Sequence, residues 1–371
     1  MRIIVNALPL VNLRTGIGRY VAELYREMER LPGVEIGYFD GARVLPRMPP
    51  PPASEARWSL LTALFWRLPA FAALAVRAAI QARRQATFDR LARGFDVYHE
   101  TSFFPFAAPA GVRTVFTVHD MTLLRHPHWH PRERVLFFER YFHRRLRGVD
   151  RFLAVSGFTR DEMLALLPVR REAISVTHLG VDPALFHPVH PQVAARVRKQ
   201  YRLPERYFLF VGSGDPRKNA EIVPQALAAA GLDVPLVLAG WSGWSNQDHQ
   251  AARTLCLGYV PDADLPGLYG NALALVYPSL YEGFGLPILE AMACGCPVVA
   301  ARTSSLAEAG GNAAMYLEHP EDEQELGHLL ARLAGEEGLR EDMRNRGLAH
   351  AAAFTWARTA QLTLDAVRAA L

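Results

Sequence analysis

Two carboxylates separated by seven residues, Glu282 and Glu290, bracket a glycine-loosened run through Gly283, Phe284, Gly285 and Leu286. The apolar run Ala272–Val276 before it reads as a strand. Pro287 fits the first turn of a helix, where a missing N–H costs nothing. Gly295 ends that helix, and Pro297-Val298-Val299-Ala300 reads as the next buried strand. Glu282 therefore sits on a loop, and Glu290 lies within the first turns of the helix. Between them, the amides around Phe284, Gly285 and Leu286 point out of a helix start, an end that carries partial positive charge. Such amides hold an anion, and a carboxylate on either side holds hydroxyl groups. The arrangement fits a diphosphate with a sugar at each end.

A second cluster brings cations. Tyr207–Val211 reads as a strand leading into Gly212-Ser213-Gly214-Asp215-Pro216-Arg217-Lys218-Asn219. The glycines open the loop, and Arg217 and Lys218 put positive charge beside a helix start, a diphosphate clamp without a metal. Of the 41 basic residues only Lys199 and Lys218 are lysine, so a compact ammonium is read as a requirement at position 218. Asp262-Ala263-Asp264 spells a D-x-D pair, which elsewhere can hold a divalent metal. Here it directly precedes the short helix Leu265–Tyr269, so Asp264 is read as an N-cap and no metal is expected. Cys256, Cys294 and Cys296 imply no disulfide framework and a reducing compartment. Cys294-x-Cys296 is read as helix-end packing, since no His or Cys cluster completes a metal site.

A chain of 371 residues, 50% of them hydrophobic, exceeds the usual single domain and suggests two. The net charge of +4 fits anionic substrates or a membrane surface. No concentrated basic run tracks nucleic acid. Ile3–Val5 reads as a strand, and the N-terminus as a strand rather than a signal peptide. Leu13–Tyr20 leads into a helix ending near Leu31. Gly16 and Gly18 let backbone approach a ligand at that helix start, or simply make a tight turn. Val21 stands where a dinucleotide fingerprint needs its third glycine, which disfavours a nicotinamide-dependent oxidoreductase.

Val44–Ala53 is proline-rich and reads as an exposed connection. Trp58–Arg84 packs aromatics, leucines and arginines together. Arg67, Pro69 and Arg77 interrupt it, so no uncharged run reaches the roughly 18–20 residues of a spanning helix. It reads either as an interfacial helix pair presenting Trp58, Leu61, Phe65 and Trp66 to a bilayer or as two core helices. Asp96–His99 and Thr114–Val118 read as strands. The second runs into His119-Asp120 at a carboxyl strand end, where open α/β sheets place ligands. Helix Arg132–Arg147, strand Phe152–Val155, a helix start at Ser156 and Thr159, and strand Ile174–His178 follow. A last helix runs from near Trp356 to Leu371.

The run Glu282-Gly283-Phe284-Gly285-Leu286-Pro287-x-x-Glu290-Ala291-Met292-Ala293, trailed by Gly295-x-Pro297-Val298-Val299, resembles the signature of the family-4 retaining glycosyltransferases, which have the GT-B fold. The resemblance spans nearly the whole chain. It implies an α/β protein of two Rossmann-like domains facing a central cleft. Residues 1–187 would bind acceptor, 188–353 would bind the nucleotide-sugar donor, and 354–371 would form a helix crossing back to the first domain. Gly180-Val181-Asp182-Pro183 resembles the family's exit into the hinge, with Leu179 where the family has Asn.

By that resemblance Glu282 binds the donor sugar, Glu290 the ribose, and the amides of Gly283, Phe284, Gly285 and Leu286 sugar and phosphate. Gly212, Arg217 and Lys218 belong to the diphosphate loop, where Ser213 replaces an Arg common in the family. Gly258-Tyr259-Val260-Pro261 matches the loop whose backbone reads the nucleobase, through Tyr259 and Val260. Gly16 and Gly18 lie near donor phosphate and acceptor, and His119 with Asp120 lies on the acceptor side. His119, Asp120, Lys218 and Glu282 are the candidate catalytic residues.

The reaction the resemblance implies moves a hexose from a nucleoside diphosphate sugar to a hydroxyl with retained configuration, needing no cofactor and no metal. The residues do not specify how retention is achieved; same-face attack without a covalent intermediate is what the family resemblance implies. The Pro-Arg-Lys-Asn and Val-His-Asp stretches resemble mannosyl- and rhamnosyltransferases of bacterial surface polysaccharides. They imply GDP-mannose or GDP-rhamnose as donor and a lipid-linked oligosaccharide as acceptor, and nucleic acid is not an expected partner. The location implied is cytoplasmic, with peripheral attachment to the inner face of the bacterial membrane if Trp58–Arg84 faces lipid. A GT-B epimerase or hydrolase of UDP-sugars and a non-catalytic nucleotide-sugar-binding protein are the alternatives.

Overall fold

Short apolar runs without alternation make strands buried on both faces, the mark of a parallel sheet between helix layers. Ile3, Ile4 and Val5 show the pattern, each fully buried in β1 (Arg2–Asn6). The computed structural model describes residues 1–11, 16–50, 69–240 and 253–371. The chain divides into two α/β units. The first is Met1–Leu179 with Trp356–Leu371, and the second is Gly180–Thr355. The first unit thus ends ahead of the boundary read at Pro188.

In the first unit, β1 is joined by β2 (Glu35–Phe39), β3 (Val44–Leu45), β4 (Val97–Glu100), β5 (Arg113–Val118), β6 (Arg151–Ala154) and β7 (Ile174–Val176). Their order is β3-β2-β1-β4-β5-β6-β7. Every pairing is parallel except β2 with β3. Strand order reverses between β1 and β4, the place where loops diverge and ligands enter doubly wound sheets. Phe116, Phe138, Phe142, Phe152 and Met163 fill one side of the sheet. Phe39, Phe88, Tyr98 and Phe106 fill another cluster. The closing helix Trp356–Arg368 packs on helix Gly16–Met28, with the Tyr20 and Trp356 rings 6.2 Å apart.

Two readings change here. Val44–Ala53 is not simply a connection: Val44 and Leu45 pair antiparallel with Phe39 and Tyr38 as an edge strand. β2 itself escapes pattern reading because Gly37 interrupts its apolar run; a Cβ there would meet Phe95 at 2.7 Å. Trp58–Leu68 lies outside the described residues. The remainder of that stretch belongs to helix Ala70–Leu91, which buries Ala73 and Phe88.

The second unit holds β8 (Phe208–Val211), β9 (Leu236–Ala239), β10 (Thr254–Gly258), β11 (Ala274–Tyr277), β12 (Val298–Ala301) and β13 (Met315–Leu317). All pair in parallel, in the order β10-β9-β8-β11-β12-β13. Here the reversal falls between β8 and β11. Phe208, Val223, Leu236, Val276, Val299 and Leu330 make the core. At the carboxyl ends of β8 and β9 two backbones touch: a Cβ on Gly240 would lie 1.7 Å from the Gly212 carbonyl oxygen, and Gly240 has a φ of +146°. Both conditions exclude a side chain. Gly240→Ala should therefore cost at least about 2 kcal/mol in a urea melt; a midpoint unchanged from wild type would mean that this contact does not exist.

Candidate active site

Because β8 and β11 pair at the reversal of strand order, the loops that follow them are neighbours. The loop after β8 carries Arg217 and Lys218 on a single 3₁₀ turn, Pro216–Lys218. Asp215 starts that turn, its carboxylate accepting from the Arg217 amide at 3.1 Å. Asn219 ends it with a φ of 53° and donates to the Pro278 and Pro320 carbonyls at 3.3 and 2.7 Å. One amide thus ties the lysine turn to the loop that carries Glu282.

Lys218 and Glu282 meet directly. The ammonium donates to Glu282 Oε1 at 2.5 Å and to the Tyr277 hydroxyl at 2.7 Å, and that hydroxyl donates to Oε1 at 3.1 Å. Arg217 reaches Glu282 Oε2 at 3.3 Å while its Nε stays on Asp215 at 3.1 Å. Lys218 is 9% exposed and Glu282 6%. Burial pulls the Lys218 ammonium below its ordinary pKa, with Glu282 pulling the other way. Burial also opposes ionisation of Glu282, but Lys218 and then Arg217 outweigh it and hold the carboxyl below its usual value. Lys218 has a third N–H beyond these two bonds, available to an anion.

The loop backbone is turned by a serine. Ser305 Oγ reaches the carbonyls of Glu282 at 2.9 Å and Phe284 at 3.0 Å. In a trans peptide the N–H points opposite to the C=O. The amides of Gly283 and Gly285 therefore face away from Ser305. Ser304 accepts from the Glu282 amide at 2.9 Å. Gly285, at a φ of +110°, starts helix Leu286–Ala293, and a Cβ there would meet Leu306 at 2.9 Å. Pro287 falls in the first turn and Gly295 follows the end, as their types require.

Glu290 lies on the same helix, 2% exposed, with the Tyr269 hydroxyl donating to its Oε2 at 3.1 Å, and its charge acts on Tyr277. Tyr259 is 45% exposed and Val260 5%, just after β10. Gly212 stands beside the aliphatic stem of Lys218. Asp264 needs a correction. It makes no side-chain cap to helix Leu265–Asn271. Its carboxylate instead accepts from Arg196 at 2.8 Å, Gln200 at 3.0 Å and Tyr201 at 2.7 Å, anchoring helix Pro191–Tyr201.

The first unit gathers a separate cluster after β5. His119 Nε2 lies 2.9 Å from the Thr101 carbonyl. A carbonyl only accepts, so Nε2 carries the proton and Nδ1 is the acceptor nitrogen. Burial lowers the His119 pKa, against smaller opposing effects of the Thr101 carbonyl and Asp120, and favours the neutral ring. The Tyr20 ring stands at 5.0 Å, nearly perpendicular to the imidazole, and comes from helix Gly16–Met28, whose first turn holds Gly16 and Gly18. Asp120 Oδ1 accepts from the Thr122 amide at 3.0 Å and its hydroxyl at 2.5 Å, so this carboxylate is built into the turn before helix Thr122–Arg125. A small pocket beside them is lined by Ser102, Phe103, His119, Asp120, Met121 and Leu124.

Tyr277 and Ser305 are neighbours of the candidate site residues that sequence reading missed. Tyr277 closes an apolar strand and looks like core. The available signal was position: a polar-tipped side chain at a carboxyl strand end, the rule that picks out His119.

The family described as "Glycosyl transferases group 1" matches residues 194–350, and "Glycosyltransferase Family 4" matches residues 14–185. The chain is 32% identical to "O-antigen chain mannosyltransferase B" of Escherichia coli, over 99% of this chain and 100% of the relative. Among solved structures, HepE of Anabaena in complex with UDP and glucose superposes with a TM-score of 0.70 at 18% identity, over 99% of each chain. WaaG, a glycosyltransferase involved in lipopolysaccharide biosynthesis, does so with a TM-score of 0.71 at 14% identity, over 99% of each. At such identities the structures speak for the fold, which is GT-B with two parallel-sheet Rossmann-like units. The full-length relative and the two matched families place the chain among the group 1, family 4 glycosyltransferases, to which it belongs.

Proposed function

We propose that this glycosyltransferase moves mannose from GDP-mannose, with retained configuration, to a hydroxyl of a lipid-linked glycan in O-antigen-type polysaccharide assembly. GDP-rhamnose is the competing donor. The mannose and the pathway are supported by the name of the full-length Escherichia coli relative. The donor site is supported by one observation above the rest: Lys218, Arg217, Tyr277 and Glu282 converge at the reversal of strand order.

In this reading the bond from the anomeric carbon to the diphosphate breaks and its electron pair leaves with the phosphate. Lys218, Arg217 and the loop amides stabilise that charge. Glu282 orients the sugar hydroxyls and keeps Lys218 charged until donor arrives. Glu290 takes the ribose, and Tyr259 and Val260 the nucleobase. The acceptor oxygen bonds to the anomeric carbon on the same face, and its proton passes to the departing phosphate. Neutral His119 accepts from an acceptor hydroxyl through Nδ1, with Asp120 beside it. The positive charge comes from side chains and amides, so no divalent metal is required.

Lys218→Ala and Glu282→Ala should each lower turnover by about 10²–10³. Tyr277→Phe should lose about tenfold, with about 1 kcal/mol of stability. Single-turnover assays with circular dichroism melts measure both; rates within twofold of wild type for Lys218→Ala and Glu282→Ala sink the site assignment.

By calorimetry GDP should bind more tightly than UDP, dTDP or ADP, and GDP-mannose should turn over in excess chelator only when a glycan acceptor is present. Turnover without acceptor would favour an epimerase or hydrolase. Activity lost to chelator and restored by manganese would overturn the metal-free reading.

A lipid-linked acceptor calls for a membrane surface. Among the described residues no helix is long and apolar enough to cross one. Helix Ala70–Leu91 offers a peripheral contact: on one side of it Val76 is 41% exposed and Ile80 45%, with Arg83 and Arg90 also exposed on that side. Apolar and basic groups in that order suit an anionic bilayer. Val76→Ser with Ile80→Ser should reduce co-sedimentation with phosphatidylglycerol vesicles while stability stays within about 0.5 kcal/mol. Undiminished co-sedimentation would refute this contact.

A further inference from the structure

Two polar side chains are buried where β1 and β4 end side by side. Asn6 closes β1 and is 2% exposed, and Glu100 closes β4 and is fully buried. Asn6 Nδ2 donates to both carboxylate oxygens of Glu100, each at 2.9 Å. The Ser102 amide donates at 2.6 Å, and the Tyr98 hydroxyl also donates to this carboxylate. The Asn6 backbone carbonyl accepts from the Thr101 hydroxyl at 2.6 Å. Glu100 and Asn6 therefore grip Thr101 and Ser102, the residues that leave β4. The Thr101 carbonyl is the group that accepts from His119.

A buried carboxylate with no cation partner among the described residues is an expensive way to close a core. Burial raises the Glu100 pKa to about 7, a measure of that cost. A hydrophobic pair would hold the two strands together at less cost. It would not fix the direction of one carbonyl. Networks in which every member is satisfied do fix directions.

We propose that Glu100 is a positioning residue for His119. Through Ser102, and through Asn6 and Thr101, it fixes the carbonyl that selects the Nε2–H tautomer and leaves Nδ1 to accept from a substrate hydroxyl. This rests on the reading of His119 as an acceptor-binding residue.

The test uses the full chain with four variants: Glu100→Gln, Asn6→Asp with Glu100→Gln, Thr101→Val and His119→Ala. Histidine ¹⁵N spectra report the His119 tautomer. Kinetics report kcat/KM for the acceptor, and titration reports GDP affinity. Glu100→Gln places an amide opposite the Asn6 amide. It should turn one tautomer into a mixture and lower acceptor kcat/KM by about tenfold or more, with GDP affinity within about twofold of wild type. The Asn6→Asp exchange restores a donor–acceptor pair and should recover most of the loss. Thr101→Val removes a single bond of the same grip and should move both readouts in the same direction; it decides the matter if Glu100→Gln fails to fold. A wild-type tautomer and wild-type kcat/KM in Glu100→Gln, or in Thr101→Val in its place, overturn the proposal. Full turnover in His119→Ala overturns the reading of His119 itself. Loss in His119→Ala with no change in Glu100→Gln overturns only the positioning role.

Discussion

The second unit is built around one interaction, the buried contact between the Lys218 ammonium and the Glu282 carboxylate. Two charges withdrawn from water cost several kcal/mol each unless geometry and further hydrogen bonds compensate. The surroundings supply both. Tyr277 bridges the pair, Arg217 covers the other carboxylate oxygen, and Asp215 balances Arg217. Ser304 and Asn219 fix the two loops from behind. The four charged side chains, Lys218, Arg217, Glu282 and Asp215, balance to zero net charge.

Each unit buries a carboxylate at its own reversal of strand order, yet the two are solved differently. Glu282 has cations around it and stays ionised. Glu100 has an amide, a phenol and a backbone N–H, and burial drives its pKa up. The first environment suits recognition of a charged ligand that changes partners. The second suits a fixed scaffold, since neutral donors gain nothing by exchanging with a phosphate. The sheet rule tells where groups converge; the charge of their neighbours tells what they can do there.

Much of this was legible in residue types. Glu282, Gly285, Pro287 and Gly295 occupy positions whose backbone demands are visible in sequence, so the strand–loop–helix–strand reading matches the structure. Lys218 stood out because lysine is so rare in this chain. Tyr277 and Glu100 were hidden for a shared reason. Both end strands whose other residues are buried, and only three-dimensional neighbours reveal what their polar ends contact. Asp264 was placed at the right helix start but given the wrong partner, because a cap is a local bond and Arg196, Gln200 and Tyr201 are remote in sequence. β2 and β3 were lost to a glycine and to brevity.

The chain passes between its two units twice, once after Leu179 and again after Thr355. The second unit is therefore an insertion, with both of its ends tied to the first. Helix Trp356–Arg368 holds that return through Thr359, whose hydroxyl donates to the His178 carbonyl at 2.7 Å. A recombination experiment that exchanges the second unit between relatives must accordingly transplant an internal cassette, Gly180–Thr355, and leave the final helix with its original host. A single-crossover chimera would pair that helix with a foreign Gly16–Met28 surface and fail for reasons of packing, whatever the compatibility of its chemistry.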